Sequence, residues 1–390
     1  MNNLLLNDKK TLTEEECRSA LDLAVKQVRK NIPLYSKSCQ NHSSVNGVYP
    51  TCANDQWTCG FWVGELWLCY EYTKEDIFRD TALEFVKSFY QRIKTKTAVD
   101  HHDMGFLYTP SCTAAFKLVG DETAKTAAIM AADQLLTRFN PNGEFFQAWG
   151  PMGATDNNRF IVDCLMNLPL LYWASEITGD DNSASAADKH TATCFKYSFR
   201  EDGSTFHTFY MHPDGKPNRG ETCQGYRYDS IWARGQTWGI YGSILNFHHT
   251  GKPECLELFR KSLKLYLSKL PGDMVPYWDM VFEDGSGEPR DSSSAAIAAC
   301  GLLEAEKSLA SQEGNDCRDL AGKMLKSLFD GYANVSPSDG AGLLLHGTYS
   351  KKSPYNTCVE EGVDEFTSWG DYFYLEGLMR YLANWNPYWW

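Results

Sequence analysis

Two kinds of apolar pattern alternate along the chain. Stretches such as CGFWVGELWLCYEY and RGQTWGIYGSILNF are apolar or small on nearly every side, whereas KTAAIMAADQLLTRF carries one clear polar face. Helices that are apolar all round belong inside a protein, and helices with one apolar face belong on its outside. Periodicity and capping signals predict twelve helices. These span about residues 13–32, 57–72, 75–95, 104–116, 121–139, 158–177, 181–198, 229–248, 253–270, 291–310, 314–332 and 364–385.

The connections between these helices are alternately short and long. Turn-rich links (TKED, LVGDET, TGDD, HTGKPE and SQEGND) join the second helix to the third, the fourth to the fifth and so on, and longer loops make the other joins. Six hairpins of one inner and one outer helix predict an all-α (α/α)6 barrel, a six-hairpin toroid whose long loops open above the N-termini of the inner helices. A right-handed helical solenoid is the alternative, but no sequence repeat of about 30 to 45 residues is present. FHTFYMH near residue 206 is the best candidate for a strand.

Nothing in the sequence divides the chain. No Pro/Ser-rich linker is long enough to separate two domains, and barrels run longer than the commonest domains. We therefore expect a single domain over residues 1–390, in which residues 1–56 form the first helix and a long loop. The N-terminus, MNNLLLNDKK, has no preceding basic run and no small-residue cleavage site, and no apolar stretch approaches the length of a membrane span. These features predict a cytoplasmic protein.

Charge and composition narrow the classes of function. The net charge of −13 argues against a nucleic-acid or membrane partner, because no Lys/Arg stripe offsets it. The aromatic content of 14%, with 12 Trp and 21 Tyr, exceeds the needs of a core and indicates either a sugar-binding cleft or additional packing. Thirteen cysteines without a C-x-x-C pair suit neither a disulfide framework nor a zinc ribbon, so we expect reduced, mostly buried thiols.

Candidate functional groups gather where the barrel places the loop ends of its inner helices. Six of them lie at or near helix starts or in the long loop before the eighth helix: Trp62, Asp103, Asp163, His207, Gln224 and Arg234. Either acid alone is more often a helix cap than a catalyst. Asp163, however, lies within the apolar run IVDCLMNLPLLYW. Poor solvation and a second carboxylate nearby would raise its pKa and make it a general acid near neutral pH, with a buried structural carboxylate as the alternative.

Other chemistries lack their motifs. The adjacent histidines at 101–102 and 248–249 have no metal-ligand spacing, and the sequence contains no H-E-x-x-H, no G-x-S-x-G and no glycine-rich phosphate loop. We therefore expect neither a metal nor a cofactor. Four tryptophans either pack in the core or carry sugar rings at the mouth of the barrel: Trp62, Trp149, Trp232 and Trp238.

Six motifs together resemble one enzyme family. They are DHHDMGFLYTPS around Asp103, RFIVDCLMNLPLLYWASEITGD around Asp163, GSTFH, QGYRYDSIWARGQTWGIYG, PYWDMVF with EPRDSSSAAIAA, and GVDEFTSWGDYFYLEGLMRY. In number and order they resemble glycoside hydrolase family 88, the unsaturated glucuronyl hydrolases, from about residue 57 to the C-terminus. The resemblance implies an (α/α)6 barrel. It also implies release of a 4,5-unsaturated uronic acid from the non-reducing end of lyase-generated oligosaccharides of glycosaminoglycan type.

The resemblance also assigns roles to residues. The family's general acid and base matches Asp163, its assisting acid matches Asp103, and His102 lies beside the substrate. The family's other substrate-binding positions match Trp62, Trp149, His207, Gln224, Arg234 and Trp238. In the implied reaction, protonation of carbon 4 of an enol ether lets water add at carbon 5, and the resulting hemiketal opens and expels the rest of the saccharide. Arg234, His207 and Gln224 are then the expected partners of the uronate.

The sequence departs from the sulfate-active members of the family at one place. Those members resemble one another in an Arg before the glutamine and in an S-x-x-S-x-K string. Here Cys223 precedes Gln224, and residues 350–355 read SKKSPY. A preference for the usual sulfated chondroitin unit is therefore not expected, unless Lys351 or Lys352 supplies a cation from a rearranged loop.

Three alternative functions share the predicted fold. An unsaturated rhamnogalacturonyl hydrolase acts on pectin fragments by the same chemistry. A non-catalytic carbohydrate-binding toroid would carry the same aromatic residues, although retention of Asp103 and Asp163 argues against it. A sugar epimerase needs paired histidine bases, of which only His207 is well placed.

Overall fold

Twelve helical segments form two concentric sets in the computed structural model, which describes residues 9–383 and 385–389. The outer set consists of α1 (Glu14–Tyr35), α3 (Asp76–Lys94), α6 (Glu122–Leu136), α8 (Asn182–Tyr197), α10 (Pro253–Lys269) and α12 (Ser311–Gly331). The inner set consists of α2 (Cys59–Thr73), the run α4 (Met104–Tyr108) to α5 (Ala114–Val119), α7 (Pro169–Thr178), α9 (Ala233–Thr250), α11 (Ser292–Ser308) and α13 (Ser368–Leu382). Residues 1–8, part of the N-terminal segment from which a cytoplasmic location is predicted, lie outside the described residues.

Burial separates the two sets as the hydrophobic pattern predicts. Helix α9 is buried at every position from Ala233 to Asn246, and α11 from Ser292 to Ala305. Helix α1 instead buries one stripe and exposes acidic residues on its other side. A stripe of this kind can cover an inner helix, whereas a helix that is apolar all round needs neighbours on every side.

The inner helices close into a ring. Each packs against the next in chain order, from α2 through α4, α7, α9 and α11 to α13, and α13 packs back against α2. Five hairpins join an inner helix to the following outer helix, and α1 packs against α13 to make the sixth from the two ends of the chain. The predicted all-α (α/α)6 barrel is confirmed.

All the long loops lie at the end of the ring where the inner helices begin, and several carry short antiparallel sheets. The pairs are β1 (Cys39–Gln40) with β2 (Thr51–Cys52), β3 (Phe139–Asn140) with β4 (Phe145–Phe146), and β8 (Gly347–Ser350) with β9 (Glu361–Glu365). A fourth sheet has three strands, in the order β5 (Arg159–Ile161), β6 (Thr208–Met211) and β7 (Pro217–Glu221). The strand predicted near residue 206 is confirmed as β6.

The helix predicted over 158–177 is wrong at its start. The segment runs instead through strand β5, then the 3-10 turn Val162–Met166, and becomes α-helical only at α7. The first residues of the segment pair with β6 instead of forming a helix. Pro169 suits the start of α7, because an N–H at the first helical position has no partner within the helix and proline has no N–H to leave unpaired. Asp163 therefore lies on a tight turn at the mouth of the ring.

Residues 385–389 lie at the opposite end of the ring. The ring of Trp389 stacks on Phe373 at 6.0 Å, and its Nε1 donates to Glu376 Oε2 at 2.7 Å. Trp385 and Tyr388 both donate to Glu71 near the end of α2. No helix in the described part of the chain is both long and apolar enough to span a membrane.

Candidate active site

A cavity of about 580 Å³ opens at the end of the barrel where the inner helices begin. Its wall comes from the loops that precede α2, α4, α7, α9 and α13, because each of these loops ends at the same face of the ring. The cavity brings together six of the nine residues expected to form a site: Asp103, Asp163, His102, Trp149, His207 and Gln224.

Asp163 lies in the wall of the cavity, and one oxygen of its carboxyl group has no hydrogen-bond partner among the described residues. The N–H of Val162 donates to the carbonyl of His207 at 3.1 Å, which fixes the turn against strand β6. Oδ1 of Asp163 is buried without a hydrogen-bond partner among the described residues. Burial first and the charge of Asp103 second raise the pKa of Asp163 from its ordinary 3.8 to about 7, against a smaller lowering by Arg234. A protonated Asp163 is thus available near neutral pH.

Asp103 occupies the N-cap position of α4 and has the opposite tendency. Its Oδ1 lies 3.3 Å from His102 Nε2, and its Oδ2 lies 3.2 Å from His101 Nδ1. Burial alone would raise the pKa of Asp103, but the charge of His102, the contacts with His101 and a hydrogen bond from Asn167 lower it overall. The pKa of Asp163 is therefore raised and that of Asp103 is lowered, although the two carboxyl groups share one cavity. Such a difference lets one group act as the general acid while the other supplies a negative charge.

Two of the four histidines that line the cavity, His102 and His207, have pKa values below the ordinary value of histidine. Burial lowers the pKa of His102, and its contact with Asp103 places the ring proton on Nε2, which leaves Nδ1 as an acceptor with no partner among the described residues. Burial also lowers the pKa of His207 to about 3. Its Nδ1 accepts from the Cys223 N–H at 3.0 Å, so its proton lies on Nε2. His207 thus offers a donor on Nε2, whereas Nδ1 of His102 is buried.

Aromatic rings flank these polar groups. Trp149 is 36% exposed, and the guanidinium of Arg159 lies 4.4 Å from the centre of its ring. Trp57 also lines the cavity, stacked on Trp369 at 5.4 Å. Sequence reasoning missed Trp57. The available signal was an aromatic residue in the polar segment NDQW directly before an inner helix.

Three of the predicted substrate-binding residues do not line the cavity in the described part of the chain, and their direct contact with a substrate stays a prediction: Trp62, Trp238 and Arg234. Trp62 is fully buried and donates from Nε1 to the Tyr35 carbonyl at 3.2 Å, so it packs α2 against α1. Trp238 is fully buried between Phe106 and Phe373. Both tryptophans lie on inner helices that are apolar on nearly every side, so their side chains pack against neighbouring helices.

Arg234 is likewise buried, and three of its five N–H donors have partners within the protein. It donates to Asp291 Oδ2 at 2.9 Å and to the carbonyls of Thr348 and Tyr349 at 2.6 and 2.7 Å. The Tyr349 carbonyl also accepts from Gln224 Nε2 at 3.2 Å. Arg234 therefore fixes the strand that forms one side of the cavity, and its charge reaches the site only over a distance.

The described lining residues include several carboxylates but neither Lys nor Arg. Glu361 lines the cavity and lies 3.1 Å from His42 Nε2. Arg159 is not among these lining residues, but its guanidinium lies over the ring of Trp149, which is. Lys351 instead lies 4.0 Å from both Glu288 and Glu360. Within the described residues, no group of His, Cys, Asp and Glu could hold a metal ion.

Comparison with known proteins gives consistent matches over nearly the whole chain. Residues 32–367 match the model of Glycosyl Hydrolase Family 88. An unsaturated chondroitin disaccharide hydrolase of Streptococcus pneumoniae is 43% identical, covering 97% of this chain and 95% of that protein. An unsaturated glucuronyl hydrolase of Bacillus sp. strain GL1 is 39% identical over 92% of this chain and 95% of its own. The crystal structure of unsaturated glucuronyl hydrolase from Streptococcus agalactiae superposes with a TM-score of 0.95 at 42% identity, covering 99% and 97% of the two chains.

Proposed function

Because the chain belongs to Glycosyl Hydrolase Family 88, it is a glycosidase, and we propose that its cavity is the active site of an unsaturated glucuronyl hydrolase. The substrate is an oligosaccharide of glycosaminoglycan type that a polysaccharide lyase has left with a 4,5-unsaturated uronic acid at its non-reducing end. Similar proteins that bear the names of unsaturated chondroitin disaccharide and glucuronyl hydrolases support this substrate class.

The proposed reaction hydrates an enol ether rather than attacking the acetal directly. Asp163, protonated near neutral pH, gives its proton to carbon 4 of the unsaturated ring, and positive charge develops at carbon 5. The ionised Asp163 then accepts a proton from the water that adds at carbon 5. The product is a hemiketal, which opens and releases the remaining saccharide without a second catalytic group.

The other groups of the wall position the sugar. Asp103 keeps Asp163 protonated through its charge and accepts from sugar hydroxyls. The neutral Nε2–H of His207 and the amide of Gln224 donate to the uronate. His102 lies beside the sugar, with its Nε2 3.3 Å from Asp103 Oδ1. Trp149 and Trp57 provide ring faces for the saccharide.

We also propose that residues 1–390 form one catalytic domain in the cytoplasm. Pairing of the first and last helices supports one domain, and the thirteen free thiols suit a reducing compartment. The reaction as written needs no metal or cofactor. The net charge of −13 disfavours nucleic acid or a membrane as a partner.

One observation carries the function: a carboxyl group with a pKa of about 7 shares a cavity with an ionised carboxylate. The test follows loss of the enuronate ultraviolet absorbance over unsaturated chondroitin, hyaluronan, heparin, gellan and pectin fragments. Turnover of the glycosaminoglycan fragments is expected. Turnover of pectin fragments alone would identify a rhamnogalacturonyl hydrolase instead, and binding without turnover would identify a carbohydrate-binding protein.

A further inference from the structure

Four aromatic side chains pack together in the loops beside the active-site cavity. The ring centre of Tyr226 is 5.0 Å from that of Phe282 and 5.5 Å from that of Tyr355. Trp278 supports the first two, because its ring centre is 6.2 Å from that of Tyr226 and 5.7 Å from that of Phe282. We call these four rings the aromatic platform.

The platform has a buried base and an exposed edge. Trp278 is buried and donates from Nε1 to Glu288 Oε2 at 2.8 Å, which holds its ring in place. Tyr226 and Phe282 are partly exposed, and Tyr355 is 54% exposed. A single exposed aromatic residue is ordinary on a protein surface, but a group of exposed rings that is supported from beneath is typical of a binding site.

Hydrogen bonds join the platform to the wall of the active-site cavity. Cys223 lines the cavity, and its Sγ accepts from Thr357 Oγ1 at 3.6 Å. Asn356 Nδ2 donates to the Gly225 carbonyl at 2.9 Å. Both bonds run between the two loops whose tyrosines belong to the platform, and Val359, further along the second loop, lines the cavity as well. The platform therefore continues one side of the cavity.

The backbone of Tyr226 is fixed from both sides. Its N–H donates to Asp279 Oδ2 at 2.7 Å, and its carbonyl accepts from Ser353 Oγ at 2.6 Å. Asp279 is fully buried and also accepts from Ser230 Oγ at 2.6 Å. A ring that is held in place before a ligand arrives loses little freedom on binding, so its contact adds more to the affinity than that of a mobile side chain.

The proposed reaction places only the first sugar of the substrate at Asp163. The sugars that follow must leave through the mouth of the cavity, and the platform borders that mouth. The apolar C–H face of a pyranose ring can pack on an aromatic ring. Because the ring of Tyr355 is open to solvent, it lies where the outer sugars of a longer oligosaccharide can contact it.

We propose that the aromatic platform is a saccharide-binding subsite for the sugars beyond the first disaccharide unit of the substrate, with Tyr355 as the ring that contacts them. The inference rests on the proposed function of the cavity. The subsite gives the enzyme a preference for oligosaccharides of four or more sugars over disaccharides, because only the longer chains reach the platform. Since the contact is between apolar ring faces, it does not depend on sulfate.

The experiment compares the unsaturated disaccharide and tetrasaccharide of hyaluronan, which carry no sulfate, in the ultraviolet assay. For the wild-type protein, kcat/KM should be higher on the tetrasaccharide. Tyr355→Ala should lower the ratio of the two kcat/KM values, tetrasaccharide over disaccharide, by roughly 2–10-fold, the size expected for one ring contact. The loss should lie in KM rather than in kcat, because the contact is made equally in the ground state and the transition state. An unchanged ratio, or an equal fall on both substrates, overturns the proposal.

Two further variants identify the ring as the cause. Tyr355→Phe keeps the ring and should keep the wild-type ratio. Tyr228→Ala removes a tyrosine that is 49% exposed on the same loop as Tyr226 but lies outside the platform, and it should also keep the ratio. A fall in either variant as large as that in Tyr355→Ala contradicts packing of a sugar on the Tyr355 ring.

Binding separates the platform from the proposed activity. If neither substrate is turned over, the proposed function has failed, and calorimetry with the same tetrasaccharide then tests the platform in the wild-type protein and in Tyr355→Ala. Weaker binding by the variant supports the subsite, and equal affinity overturns it.

Discussion

At the scale of single residues, Asp163→Asn removes the proton that the proposed reaction transfers. The amide keeps the shape of the carboxyl group, so the fold and much of the substrate affinity should remain. Turnover should fall by on the order of 10²–10⁴-fold, the usual contribution of a general acid. The ultraviolet assay measures the rate, and calorimetry with an unsaturated disaccharide measures binding. Asp55→Asn, at an exposed carboxylate of the same cavity, is the matched control and should retain most activity.

The pH profile tests the coupling of the two acids. Asp163 must be protonated to act, so kcat/KM should decline as the pH rises through about 7. In Asp103→Asn the neighbouring negative charge is gone, and the pKa of Asp163 should fall. The alkaline limb should therefore move to lower pH, and the rate at neutral pH should drop. An unchanged limb in Asp103→Asn would show that the two groups are not coupled.

At the scale of elements, the segment around Asp163 shows what the sequence could predict and what it could not. The apolar run IVDCLMNLPLLYW correctly indicated a buried carboxyl group, because burial follows from composition. Its strand and 3-10 turn were not predictable, because they depend on pairing with β6, more than 40 residues further along the chain. The helix count succeeded for the opposite reason: helical periodicity is local.

The same difference between local and long-range signals explains why three candidate site residues do not line the cavity in the described part of the chain. Trp62 and Trp238 were placed at the mouth by their position near helix starts, yet the direction of a side chain depends on neighbours from other helices. Arg234 was expected to meet the substrate, and in the structure Asp291 and two carbonyls of the β8 strand take three of its five N–H donors. Trp57, which lines the cavity, lies in a loop whose path no periodicity defines.

The loop from β8 to β9 leads to a prediction about sulfate. A sulfate ester that enters a desolvated subsite needs a cation, and the described wall supplies none. Lys352 donates to the Asn356 carbonyl at 3.0 Å, and Lys351 lies near two glutamates. Unsulfated fragments should therefore be turned over at least as well as the sulfated chondroitin disaccharide.

Cys223→Arg should shift the ratio of kcat/KM values towards that sulfated disaccharide. The new guanidinium would enter the cavity beside Gln224 and pair with the sulfate. Cys223→Ser is the control for loss of the thiol and should leave the ratio unchanged. A wild-type enzyme that already strongly favours the sulfated substrate would show that the loop over 350–355 supplies the cation after all.

At the scale of the whole molecule, Trp389 ties the C-terminus into the core. Its side chain is 1% exposed, stacks on Phe373 and donates to Glu376. Trp389→Ala should lower the free energy of unfolding by roughly 3–5 kcal/mol, the usual effect of truncating a large buried aromatic residue. Urea unfolding measures the change. Tyr228→Ala, at a half-exposed position, is the control, and an equal effect in both variants would contradict the anchoring role of Trp389.

Closure of the ring by the two ends of the chain has a consequence for synthesis on the ribosome. Helix α1 is made first, but its partner α13 and the plug around Trp389 emerge last. At about 5–20 residues per second, a chain of 390 residues takes roughly 20–80 s to translate. Until α13 emerges, helices α2 and α11 lack one of their final neighbours in the ring. The growing polypeptide is thus a natural client for chaperones that shield unfinished chains, and a stalled ribosome would leave a fragment that cannot complete its core.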